Sequence, residues 1–397
     1  MNGSELADVR RFLAVRVACW ITVALSLVWA PLPGEDVAPF RAYDGLTDLL
    51  FGSHVQWDAV WFIHLAEHGY DSTQITAFFP GYPLLVAGLA EVTRSTIVAG
   101  VIVSLLAGCA AVVILRRLAA TRLGERAQRD AVLLMALYPL AYVFTSVYSE
   151  SLYLALAAGS FYAGLRRRPV VAGALAALAV DTRVLGLALV PALAVLLWPR
   201  TRSARELGGV AAAVAPPLAA LGGYALYLHH RFGDAFAFVH AAGTDTWNRH
   251  VPTLGPISGL WQTTTAAWHG ALELLRHLPR SGDYPEGLPA HDMWSAWNIA
   301  HFCLVALALW LTWVAWQRLG PAFGVYSLAV IAIVLSSPAD FVPLASSPRY
   351  LLADFPLFLA AADLLQSRPR LRQVTLTSFA AVGLLAAVAF SRKTWVA

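Results

Sequence analysis

A chain of 397 residues that is 58% hydrophobic and 13% charged has too little polar surface to coat a soluble globule. Its formal net charge of +4 is spread over short arginine-bearing segments, with no basic stripe, which argues against a nucleic-acid partner. The three cysteines, Cys19, Cys109 and Cys303, all fall inside apolar runs, so neither a disulfide framework nor a cysteine metal site is implied.

Taken in order, the first apolar run follows Arg10 and Arg11 and extends to about Pro31. It is long for a signal peptide and lacks a small-x-small cleavage site, so it reads as a retained first span. Further apolar stretches long enough to cross or enter a bilayer centre on 96–115, 131–147, 150–165, 169–182, 184–198, 208–229, 297–316, 321–337, 350–365 and 372–390. The fold class that follows is all-α: one polytopic membrane helix bundle over 1–397, with about 11 transmembrane helices in a range of 9–12. Two long polar connections interrupt it, at 32–95 and 230–296. Arginine placement orients the bundle, because short cytoplasmic loops retain positive charge. With the N-terminus inside, 18 of the 28 basic residues fall on the cytoplasmic side, and both long connections become extracytoplasmic loops.

The densest polar island is 54–83, HVQWDAVWFIHLAEHGYDSTQITAFFPGYP. Helical spacing puts Trp57, Trp61, His64 and His68 on one stripe and Asp58 beside Phe62 and Leu65 on the next. Ionisable groups at a bilayer edge are costly unless paired or hydrated. A carboxylate among rings is a good proton acceptor for an approaching hydroxyl, so Asp58 is the candidate catalytic base; its plainer role is to cap a juxtamembrane helix. HLAEH at 64–68 matches an inverted zinc-protease pattern, but no third ligand follows at a recognisable spacing, and two histidines at a wet interface explain it as well. No metal is therefore assigned, although a divalent ion is compatible with the residues. AFFPGYP, 77–83, forces a turn and sets Phe78, Phe79 and Tyr82 as an aromatic wall, suited to stacking on sugars or isoprenoids or simply to a membrane belt.

Later segments supply charges near the same side. Glu150 stands at the outer end of a span in YSES, and Asp181-Thr182-Arg183 sets opposite charges between two spans, by default a salt bridge or cap. Arg349 and Tyr350 stand at a span mouth in SPRY, with Asp354 one turn on. An arginine fork suits phosphate, and simple snorkelling is its alternative. The connection 230–296 is rich in tryptophan and histidine, which fits a carbohydrate-binding lid or a loop lying on the bilayer.

Together, WDAVWFIHLAEHGY at 57–70, AFFPGYP at 77–83, YSESLY at 148–153, DTRVLGLAL at 181–189 and SSPRYLLADFPLF at 346–358 resemble the PIG-V-type mannosyltransferases, the GPI mannosyltransferase 2 family and its bacterial relatives, membrane glycosyltransferases of GT-C architecture. The chain departs from the family's usual pattern at Gln56, where Arg is common, and at Gly81, where a bulkier residue is common. The resemblance implies transfer of mannose, with inversion, from a polyprenyl-phosphate-linked donor to a glycan, glycolipid or protein acceptor on the extracytoplasmic face. It implies Asp58 as general base. Trp57, Trp61, His64, Tyr70, Phe78, Phe79, Tyr82, Glu150 and Tyr350 are then candidates for holding substrate, and Arg349 and Arg183 for meeting the carrier phosphate. Two other functions fit a polytopic chain: a transporter or flippase of lipid-linked sugars, and a membrane metalloprotease using His64, Glu67 and His68.

Overall fold

The computed structural model describes residues 1–29, 50–199, 201, 203–244, 247–277, 290–340 and 342–394. Residues 32–49 of the first predicted loop and 245, 246 and 278–289 of the second lie outside the described residues, as do Arg200 and Arg202. All eleven apolar stretches are helical over most of their length. In chain order the helices of six residues or more are α1 (Gly3–Trp29), α2 (Asp58–His68), α3 (Gly81–Thr93), α4 (Thr96–Ala119), α5 (Glu125–Leu137), α6 (Glu150–Leu165), α7 (Pro169–Thr182), α8 (Leu189–Leu196), α9 (Ala204–Phe232), α10 (Pro256–His277), α11 (Ala290–Arg318), α12 (Pro321–Leu335), α13 (Ser347–Leu352), α14 (Phe355–Leu365) and α15 (Pro369–Ser391). Among the described residues there is no strand, only an isolated bridge between Arg249 and Ala339. Five helices, α1, α4, α9, most of α11 and α15, are long and apolar enough to cross a membrane. Shorter apolar helices fill the space between them.

Local sequence sets the helix ends. Ser95 caps α4 by accepting from the Val98 amide, Ser203 caps α9 through the Glu206 amide, and proline opens α7, α12 and α15, where a missing amide hydrogen costs nothing. Gly233, at φ +77°, ends α9 in the left-handed conformation. α7 packs along α9, and the crossing is close because Gly173 lies against Ala212: a β-carbon built there would stand 2.1 Å from the Ala212 carbonyl oxygen. Gly81 opens α3 for the same reason, since its β-carbon would stand 2.9 Å from the Asp181 carbonyl oxygen.

Charges collect at the two ends of the bundle. At one end, Arg116 of α4 pairs with Asp8 of α1 and Glu125 of α5, while Arg117 Nε meets Glu5 Oε1 at 2.8 Å. Arg372 of α15 grips both carboxylate oxygens of Asp130 at 2.6 Å. Arg16 is buried and donates to the Ala136 carbonyl, which the end of α5 leaves open, and to the Ala141 carbonyl just beyond it. From Arg116 back to Gly100, α4 rises about 24 Å. Gly100 accepts from the Tyr82 hydroxyl, so the AFFPGYP turn belongs to the opposite end.

Two expectations change. The connection 230–296 is not a lid loop throughout, because it holds the 22-residue helix α10, whose close packing on α11 is allowed by Gly270 against Ser295. The stretch 184–198 is a short 3-10 turn, Val184–Ala188, followed by α8.

Candidate functional site

Four separated segments deliver one charged cluster. Trp57, at φ 57°, holds a conformation costly for a bulky residue, directly before Asp58 opens α2. Tyr148 fixes this corner by donating its hydroxyl to the Gln56 carbonyl at 3.0 Å. Asp58 Oδ2 meets Arg349 Nη1 at 2.5 Å. Arg349 Nε is 3.3 Å from Glu150 Oε1, in ion-pair range without hydrogen-bond alignment. Glu150 Oε1 also accepts from Arg183 Nη1 at 2.8 Å, and the same nitrogen donates to Ser149 at 3.0 Å. Asp58, Arg349, Glu150 and Arg183 therefore form one continuous chain of alternating charge. Glu150 is 1% exposed at its side chain, against 14% for Arg183 and 21% for Asp58, so the chain is most buried at Glu150 and opens most at Asp58. The second oxygen of Glu150 is buried without a hydrogen-bond partner among the described residues.

Tyr350 stands in the middle of the cations. Its ring centroid is 5.1 Å from the Arg183 guanidinium carbon, 5.6 Å from that of Arg349 and 6.0 Å from that of Arg249. Burial alone raises the Tyr350 hydroxyl, but Arg249, Arg349 and Arg183 outweigh it and leave its pKa below the ordinary value. Burial pulls Arg349 down, and Asp58 and Glu150 overcome that and raise it, so Arg349 keeps its charge.

Arg249 was not anticipated. It reaches the cluster because residues 248–250 pair with 338–340, the Asp340 amide donating to Asn248 and the His250 amide to Pro338. Its guanidinium then donates to the Ser337 carbonyl at 2.8 Å and the Ala345 carbonyl at 2.5 Å, fastening the segment that leads into α13. Only the density of polar and aromatic residues around it in sequence hinted at a role.

The other predicted residues spread around this centre. Trp61 and Phe78 both face Trp247, at 6.0 and 5.7 Å between centroids, making an aromatic flank. Phe79 turns away to pack on Tyr224 and Phe238. Tyr82 is fully buried, with its hydroxyl bonded to Gly100 and Ser104. The three rings of AFFPGYP thus do not form one wall, because α3 begins at Gly81 and its helical turn carries Tyr82 inward. Tyr70 donates to the Phe78 carbonyl at 2.5 Å. His64 is bound to Asp71 at 2.7 Å and stacks on His68, the first imidazole half-buried and the second exposed. That hydrogen bond holds the Asp71 carboxyl below its ordinary pKa. Among the described residues, no three His, Cys, Asp or Glu side chains are grouped so as to share a metal ion. Asp181 and Arg183 do not pair with each other: α7 ends between them, sending Arg183 to Glu150 and Asp181 to the opposite side of the helix end. Asp354 is fully buried and accepts from Ser327 at 2.6 Å.

Fold and site together define an all-helical integral membrane protein with an ion-paired, aromatic-flanked centre at one end of its bundle. Residues 20–200 match the family model described as mannosyltransferase (PIG-V), a stretch that contains Asp58, Glu150 and Arg183 but not Arg349 or Tyr350. The chain is 32% identical over 162 residues to GPI alpha-1,6-mannosyltransferase 2 of Mus musculus and, equally, of Rattus norvegicus. Each alignment covers 38% of this chain and 33% of the relative, so the chain spans about a third of the length of these curated relatives. Among solved structures, the apo oligosaccharyltransferase of Archaeoglobus fulgidus aligns with a TM-score of 0.44 and 13% identity, covering 97% of this chain and 56% of that one.

Proposed function

We propose that this chain is a membrane glycosyltransferase that moves mannose from a polyprenyl-phosphate carrier to an acceptor hydroxyl on the extracytoplasmic face. The observation that carries the reading is the convergence of Asp58, Glu150, Arg183 and Arg349, from four separate segments, around Tyr350. Such a centre has the parts that a displacement at an anomeric carbon requires: an acceptor for a proton and fixed positive charge for a departing phosphate. The acceptor oxygen forms its bond to the anomeric carbon as the bond from that carbon to the phosphate oxygen breaks. The electron pair leaves on the carrier phosphate, stabilised by Arg183 and Arg349, and the hydroxyl proton passes to Asp58. One displacement from the face opposite the leaving group inverts the anomeric configuration.

The ion pair between Asp58 and Arg349 supports a particular order of events in this proposal. In the free enzyme Arg349 neutralises the base. The carrier phosphate draws Arg349 toward itself, which releases Asp58 and opens room for the sugar between the two. Positioning by Glu150, Trp61 and Phe78 then supplies most of the remaining acceleration. The likeness of residues 20–200 to the PIG-V mannosyltransferases supports mannose as the sugar; the lipid-linked donor is what the motif resemblance to that family implies. Arginine placement supports an outward-facing site.

The test is direct. Purified protein is incubated with polyprenyl-phosphate mannose and, separately, polyprenyl-phosphate glucose together with a membrane extract as acceptor, and products are identified by mass spectrometry. A mannosylated product with inverted linkage is expected; movement of the lipid-linked sugar across a bilayer with no glycosylated product would replace the transferase with a flippase.

A further inference from the structure

The divergence of Asp181 from Arg183 leaves one carboxylate facing a different cavity. A groove of about 560 Å³ lies between the C-terminal end of α2, the start of α3, the end of α7 and the middle of α9. Three tyrosines line it: the Tyr70 ring is 5.8 Å from both Tyr224 and Tyr227, which stack on each other at 6.5 Å with planes 13° apart. Asp181 lines the same groove, half-buried, and its carboxylate has no hydrogen-bond or ion-pair partner among the described residues. A lone carboxylate beside several aromatic faces attracts an ammonium group and repels a phosphate.

The groove opens toward lipid. Leu84 on its rim is 68% exposed and Tyr227 45%, and the apolar span of α9 is only 17% buried, so the outer side of that helix is apolar and open, as a lipid-facing surface requires. Just past Tyr227, α9 carries His229, His230 and Arg231, which puts the tyrosines at headgroup level. Arg231 Nη2 is 3.5 Å from the Tyr70 carbonyl, so a cation stands on the rim beside the anionic interior.

We propose that this groove binds the headgroup of a zwitterionic phospholipid bearing a primary amine. Its ammonium sits between Asp181 and the tyrosine rings, its phosphate meets Arg231, and its acyl chains run down the exposed side of α9 past Leu84. A primary ammonium donates N–H groups to the carboxylate, which a quaternary one cannot. The site stands apart from the transfer centre, since Leu65 at the groove lies about 10 Å along α2 from Asp58. Its test is therefore independent of sugar transfer.

Native mass spectrometry of the full-length protein in detergent, titrated with ethanolamine, choline and glycerol phospholipids of identical acyl chains, reads the preference. The ethanolamine lipid is expected to bind about tenfold or more tighter than the other two. Asp181→Asn, which keeps the side-chain size, should erase that preference and leave glycerol-lipid binding unchanged. Gly223→Leu should weaken binding of all three lipids, because its β-carbon enters the groove where no atom lies within 4 Å, so the backbone accepts it. Equal affinity for the three headgroups, or a preference that survives Asp181→Asn, would overturn the proposal.

Discussion

Arg349 holds Asp58 at 2.5 Å while its own Nε stands 3.3 Å from Glu150, so one guanidinium joins the partly exposed carboxylate of the centre to the buried one. Any anion that enters must compete with Asp58 for Arg349. A dead-end titration follows: polyprenyl phosphate without sugar should bind the unaltered protein and the Asp58→Asn variant, and bind the variant more tightly by about threefold to tenfold, because the competitor is gone. Isothermal titration in detergent checks this, and equal affinities would separate Arg349 from phosphate binding.

Arg349→Lys keeps a charge and loses the fork that spans Asp58 and Glu150. Transfer should fall by about 100-fold or more, with the loss chiefly in kcat, as expected for a group that stabilises charge developing in the transition state. A change confined to KM would assign Arg349 to ground-state binding.

Glu150 bridges two arginines from a buried position. Glu150→Gln leaves both cations without their shared carboxylate and should cost about 3–5 kcal/mol of stability, read as a fall in Tm in detergent. Double substitution with Arg183→Gln should recover part of that loss, since the two residues share one interaction.

At the far end, Asp130→Asn breaks the two-pronged contact with Arg372. Arg372 remains partly exposed and can rehydrate, so the cost should be about 1–3 kcal/mol. Turnover per folded molecule should match that of the parent protein, because the residue lies across the bundle from Asp58. A selective loss of turnover would mean that the two ends are coupled.

Gly173 tests the packing. Gly173→Val drives a branched side chain into the Ala212 carbonyl oxygen and should push α7 from α9, at a cost of about 1–3 kcal/mol or more in Tm measurements. An unchanged Tm would mean that the crossing is looser than described.

Apolar run length made the helices legible, because a helix in hydrocarbon needs little beyond continuous apolar residues to satisfy its backbone. The helix α10 was missed because its apolar residues are interleaved with Thr, His and Glu, the pattern of a helix with one wet side. Asp58, Glu150, Arg183, Arg349 and Tyr350 were legible as motifs, and the structure brings them together. Arg249 was not, since only the pairing of 248–250 with 338–340, some ninety residues apart, carries it there. The sequence also placed Asp181 and Arg183 together as opposite charges; the end of α7 between them turns one into the charged centre and the other into the groove.

The central claim is that Asp58 takes the proton of the acceptor hydroxyl. Mannose transfer from polyprenyl-phosphate mannose by Asp58→Asn, compared with the parent protein at equal folded concentration, tests it most directly. The account predicts a fall in kcat of about 100-fold to 10,000-fold with donor binding retained. Transfer by the variant at the parental rate would contradict it.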